Sequence, residues 1–124
     1  MAWDGNVEDY TRLRKPQTPL QLEAREKLEK LIKKLGNRSL LPCYYNQNDC
    51  RWCAGGWAEK FGIAPGVSHM QYIACAINFP PGMFGTQHCV NEVRQQLGMP
   101  IREKITSKIW VETARAAMEK YCAV

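Results

Sequence analysis

The stretch from Cys43 to Gly62, CYYNQNDCRWCAGGWAEKFG, constrains the chain most. It holds three of the six cysteines, two of the four tryptophans and a Gly-Gly pair inside a helical pattern. Asn48 or Asp49 suits an N-cap and Gly62 a C-terminal stop. Between them Cys50, Cys53, Ala54, Trp57 and Phe61 recur at one-face helical spacing. This reads as a helix over 49–61, apolar enough for other helices to pack around. Gly55-Gly56 weakens such a helix by about 1–2 kcal/mol relative to two alanines. A close helix–helix crossing at that point would offset the loss.

The flanking segments repeat the helical period. Thr18 caps a helix over 19–35, with Pro19 in its first turn and Gln21 placed to complete a capping box. Leu20, Ala24, Leu28, Leu31, Ile32 and Leu35 form its apolar stripe, and Gly36-Asn37 suits a left-handed end. Glu26–Lys30 and Glu29–Lys33 are spaced to pair on its outer face. Ser68 opens a helix over 69–78 that buries Met70, Ile73, Ala74 and Ile77, stopped by Pro80-Pro81-Gly82. Thr86 caps a helix over 87–97 with Cys89, Val93 and Leu97 inward, ending at Gly98. A last helix over 105–122 buries Ile105, Ile109, Ala114, Ala117, Met118 and Tyr121, although β-branched residues in 101–111 compete with it. Residues 1–17 show no period and end in Lys15-Pro16-Gln17-Thr18-Pro19, an extended arm on which Trp3 and Tyr10 are the large apolar groups. The expected architecture is therefore all-α: a compact single-domain bundle of about five helices over 18–124, preceded by an extended N-terminal arm over 1–17.

Composition narrows the setting. The chain of 124 residues is 45% hydrophobic and 23% charged, ordinary for a globular domain. No apolar run approaches the roughly 20 residues that cross a bilayer, which argues against a membrane protein. The N-terminus lacks the basic flank and apolar core of a signal peptide. A cytoplasmic location with reduced thiols is the expectation. A net charge of +5 allows weak, salt-sensitive attraction to nucleic acid or to an acidic partner.

Three chemistries follow from the residues. Cys50-x2-Cys53 has zinc-knuckle spacing, with Cys75 and Cys89 as completing ligands, so zinc is the alternative to no cofactor. No second close pair accompanies it, and cysteines on apolar stripes read first as buried core thiols. Cys50 at a helix start, with His88 downstream, is the arrangement of a cysteine hydrolase. The Cys50-Arg51-Trp52 start resembles the Cys-x-Trp helix start of CHAP-type peptidoglycan amidases, and Asp49-Cys50 resembles the start of NlpC/P60 peptidases. That likeness implies Cys50 as nucleophile and a histidine base. In those families the base lies on a strand, whereas His88 falls on the polar face of a helical pattern with Glu92.

The reading placed first is a small non-enzymatic binding, adaptor or inhibitor-type protein that meets a protein partner or a second copy of itself. Its contact residues are expected in the loop Phe79, Met83, Phe84, with Trp52 and Trp57 beside it. Placed second is a nucleic-acid-associated protein, with or without structural zinc, contacting phosphates through Arg12, Arg14, Lys15, Lys33, Lys34 and Arg38.

Overall fold

A computed structural model describes residues 18–37 and 54–122. Over these residues the chain is an all-α bundle of five helices: α1 (Pro19–Gly36), α2 (Ala54–Lys60), α3 (Val67–Ala76), α4 (Gln87–Gln96) and α5 (Ser107–Tyr121). A 3₁₀ turn, Pro81–Phe84, lies between α3 and α4. α1 packs on α3 and α5, α2 sits against α3, and the 3₁₀ turn is held between α3 and α4. No helix among the described residues is long and apolar enough to cross a membrane.

Local chemistry explains most of the boundaries. The Thr18 hydroxyl accepts from Gln21 N–H at 3.1 Å and starts α1. The Gln21 amide also reaches across to donate to the Ala76 carbonyl at 3.1 Å, joining the start of α1 to the end of α3. Thr86 and Thr106 cap α4 and α5 in the same way, accepting from Cys89 and Ile109 N–H. Three helix ends share one device. Gly62 (φ 73°), Asn78 (φ 61°) and Gly98 (φ 75°) turn left-handed. The next residue then donates back five positions: Ile63 to Ala58, Phe79 to Ala74 and Met99 to Arg94. Asn78 therefore ends α3 ahead of the proline pair.

Several expectations need correction. α3 begins at Val67 with Gly66 as its N-cap and no side-chain cap, so Ser68 is not the cap. α1 ends with Asn37 in the right-handed region, not the left-handed one. Its ion pairs are Glu23–Lys27 (3.4 Å) and Arg25–Glu29 (2.9 Å). In α2 the buried face is Ala54, Gly55, Gly56 and Ala58, while Trp57 and Phe61 are only half-buried. α4 buries Val90, Val93 and Arg94, and leaves Cys89 and Leu97 half-buried. α5 buries Trp110 and Thr113 beside Ala114 and Ala117, with Ile109, Met118 and Tyr121 at the margin. The part of the predicted 49–61 helix before Ala54 lies outside the described residues, as does the 1–17 arm.

The Gly55 crossing is as close as its sequence implies. A Cβ there would stand 2.7 Å from Val67 Cγ2 and 2.9 Å from Val67 Cα, so only glycine lets the start of α3 approach. The centre of the domain is aromatic. Phe79, Phe84 and Trp110 are each fully buried and pack in series as tilted pairs, with ring centroids 5.8 and 5.9 Å apart. Trp110 Nε1–H donates to the Met83 carbonyl at 2.7 Å, which satisfies its buried donor and pins the 3₁₀ turn to α5.

Candidate functional site

The residues expected to form a contact loop do not reach the surface. Phe79, Met83 and Phe84 are each 0% exposed. The physical reason is the left-handed Asn78, which folds the chain back over the bundle, so Phe79, Met83 and Phe84 enter the core while Pro81 stays exposed. Trp52 lies outside the described residues. Trp57 is the member of that set still partly at the surface.

The structure brings Trp57 together with other residues. Its ring stacks on Phe61, centroids 5.5 Å apart and planes inclined by 27°. Lys60 Nζ lies 5.3 Å from the Trp57 ring centroid, and Lys34 Nζ lies 5.4 Å from that of Phe61. A row of cation, ring, ring and cation results, each cation–ring contact contributing about 0.5–1 kcal/mol at an exposed site. Phe61 closes the last turn of α2, against α1, and the left-handed Gly62 then turns the chain so that Ile63 bonds back to Ala58.

Beside this row is a cleft of about 410 Å³ between α1 and the turn after α2. The turn contributes Phe61, Gly62 and Ile63. α1 contributes Glu23, Glu26, Lys27, Lys30 and Lys34, residues three or four apart that share a face. The cleft is electrically graded. At its N-terminal end Glu23 pairs with Lys27 and takes His69 Nε2 at 3.3 Å. These partners, Lys27 first and His69 second, hold the Glu23 carboxyl below the usual carboxylate range. Toward the C-terminal end, Lys30 and Lys34 have no carboxylate partner among the described residues. Among the described residues the cleft thus ends in two ammonium groups without a carboxylate partner, beside Phe61 and Ile63.

The other candidates separate. Lys33 is exposed on α1 near Lys34. Arg12, Arg14, Lys15 and Arg38 lie outside the described residues. Of the zinc set, Cys50 and Cys53 are outside, Cys75 is exposed on α3, and Cys89 is half-buried near the start of α4. There the Thr86 hydroxyl donates to Cys89 Sγ at 3.5 Å. Among the described residues no three His, Cys, Asp or Glu side chains gather as a metal site would need. His88 is 81% exposed and meets Glu92 at 2.9 Å, on the polar face of α4 as its spacing implies.

Sequence reasoning also passed over Arg94 and Cys122. Arg94 is 1% exposed. Its Nε–H donates to the Pro100 carbonyl (2.8 Å), and Nη1 donates to Thr113 Oγ1 (2.7 Å) and to Glu112 (3.4 Å). The Asn91 amide bonds Arg102 both ways at 2.9 Å, and Gln87 donates to the Arg102 and Glu103 carbonyls, so α4 clasps the 97–106 connection from Gln87, Asn91 and Arg94. Cys122 is buried at the end of α5, and burial pushes its thiol up to about 11 despite the nearby Arg25. None of the known protein families, curated proteins or solved structures compared with this chain matches it.

Proposed function

We propose that this chain is a small binding protein that holds an acidic, aromatic-bearing segment of a protein partner in the cleft between α1 and the turn after α2. The observation that carries this reading is the pairing of Lys30 and Lys34, unmatched by carboxylates among the described residues, with the Phe61 and Ile63 floor. Carboxylates would meet the two ammonium groups while an apolar or aromatic side chain covers the floor. Trp57 and Lys60 extend the surface past the mouth of the cleft. The half-buried rings supply contact area at small entropy cost, since an aromatic side chain has few rotors to fix.

A protein segment is favoured over nucleic acid on the geometry of the rings. Lys34 and Lys60 already lie over Phe61 and Trp57, the ring faces on which a base would stack. Lysine ammonium groups in this setting suit point contacts with carboxylates.

The test is calorimetric titration of the full chain with a short poly-glutamate peptide carrying one tryptophan, with an oligothymidylate as comparison. Saturable binding of the peptide, weakened at least tenfold by Lys30→Glu with Lys34→Glu, is expected. Equal binding by the doubly reversed variant, or tighter binding of the oligothymidylate, would overturn the proposal.

A further inference from the structure

At its N-terminal end the cleft is backed by a side chain of the type whose charge changes near neutral pH. His69 of α3 is not among the lining residues, yet its Nε2 lies 3.3 Å from Glu23 Oε2, and Glu23 does line the cleft. Lys27 Nζ lies 3.4 Å from the same oxygen. One carboxylate therefore faces two basic groups, an ammonium that is always charged near neutral pH and an imidazole that charges only on protonation. Side-chain exposures of 31% for His69 and 42% for Glu23 leave the pair open to proton exchange with solvent.

The elements packed closely on α3 are α1, α2 and the 3₁₀ turn. α1 brings Glu23 and Lys27 to His69. α2 carries Glu59 and Lys60 at its exposed end, where Lys60 lies over Trp57. Neither the turn over 61–66 nor the 3₁₀ turn contains a titratable side chain. On α3 itself the titratable neighbours are Tyr72 and Cys75, both exposed. Among the described residues, then, the ion partner of His69 is Glu23. Glu23 stays ionised through neutral pH, because Lys27 first and His69 second hold its carboxyl below the usual range. With His69 neutral, the charges of Glu23 and Lys27 cancel. With His69 protonated, the three groups carry one net positive charge, and Lys27 shares its carboxylate with an imidazolium. Lys27 lines the cleft within one turn of Lys30, so the added charge falls beside the ammonium groups that a partner's carboxylates would meet.

From this shared carboxylate we infer that His69 is a proton-operated regulator of the cleft: once protonated it draws on Glu23, releases Lys27 toward the partner and strengthens the hold on an acidic segment. This inference rests on the reading of the cleft as a partner site. One added unit charge at a solvent-exposed site changes affinity by about two- to fivefold. By reciprocity, an acidic segment that binds the protonated form better also promotes protonation, so binding takes up protons. The cleft then grips more firmly in mildly acidic surroundings than in mildly alkaline ones, with no change of backbone required.

The test is calorimetric titration of the full chain with the tryptophan-bearing poly-glutamate peptide, N-acetylated, at about pH 6 and about pH 8. Buffers of different ionisation enthalpy report the protons exchanged. Binding about two- to fivefold tighter at the lower pH, with net proton uptake, is expected. His69→Gln should abolish both effects, since glutamine keeps a hydrogen-bond donor toward Glu23 but does not titrate. His88→Gln, at the other of the chain's two histidines, should keep both. Glu23→Gln carries the added charge permanently and should bind at the higher pH about as tightly as the unaltered chain does at the lower. Equal binding at both pH values, or a pH dependence that survives in His69→Gln, overturns the inference and leaves the cleft as a partner site. Absence of saturable binding at either pH overturns the partner reading and the regulator with it.

Discussion

Phe84→Ala tests the architecture at its centre. Phe84 is fully buried, and its ring lies between Phe79 at 5.8 Å and Trp110 at 5.9 Å, so truncation removes both aromatic contacts at once. Each such pair contributes about 0.5–1.5 kcal/mol beyond area burial. Emptying a phenylalanine site in a packed core costs about 3–5 kcal/mol in total. The backbone around the site has little freedom to collapse, because Trp110 Nε1–H holds the neighbouring Met83 carbonyl at 2.7 Å and Met83 is itself buried. The expected loss is therefore about 3–5 kcal/mol, a large share of the 5–15 kcal/mol typical of a domain. Urea unfolding followed by far-ultraviolet circular dichroism should show a lower midpoint at unchanged slope. Tyr72→Ala, at a side chain 64% exposed, is the control and should change stability by less than about 0.5 kcal/mol. A loss below about 1.5 kcal/mol for Phe84→Ala would refute the placement of the 3₁₀ turn inside the core.

Further outcomes follow from single contacts. Gly55→Ala gains about 1 kcal/mol of helix propensity. It also drives a Cβ to 2.9 Å from the Val67 backbone, so a net loss of about 1–3 kcal/mol by chemical denaturation is expected. Arg94→Met keeps the buried stem but leaves the Pro100 carbonyl and Thr113 hydroxyl without their donor, and should cost about 2–4 kcal/mol. Amide exchange in that variant should accelerate first across 97–106. Cys122 sets a pH dependence. Its thiol is raised from 9.0 to about 11, so the unfolded chain ionises first as pH climbs and stability falls between those two values, by up to about 2–3 kcal/mol. Denaturation midpoints measured across that window should flatten in Cys122→Ala.

What could be read in advance was local. The Thr18 and Thr86 caps and the Gly62 and Gly98 stops each depend on residues within five positions, and all four were legible. The Gly55 crossing was legible as a conflict between glycine and helix that needed a tertiary reason. Burial of a loop was not legible. Pro80-Pro81-Gly82 reads as surface punctuation, and nothing within five residues says that Phe79 and Phe84 will find Trp110. Trp110 itself lay in a run where β-branched neighbours blurred the helical period. Arg94 drew no expectation because its partners come from the connection to α5 and from α5 itself. The cleft was the least legible feature. Lys34 and Phe61 are far apart in sequence, and only the packing of the bundle sets the ring against α1.

Amide chemical-shift mapping tests the central claim about the α1 cleft most directly. The full-length protein is titrated with the tryptophan-bearing poly-glutamate peptide at near-physiological salt. The expected result is saturable shifts concentrated in residues 26–34 and 57–63, lost when Lys30 and Lys34 are both reversed to glutamate. Shifts that do not saturate, or that centre on α4 and α5, would contradict it.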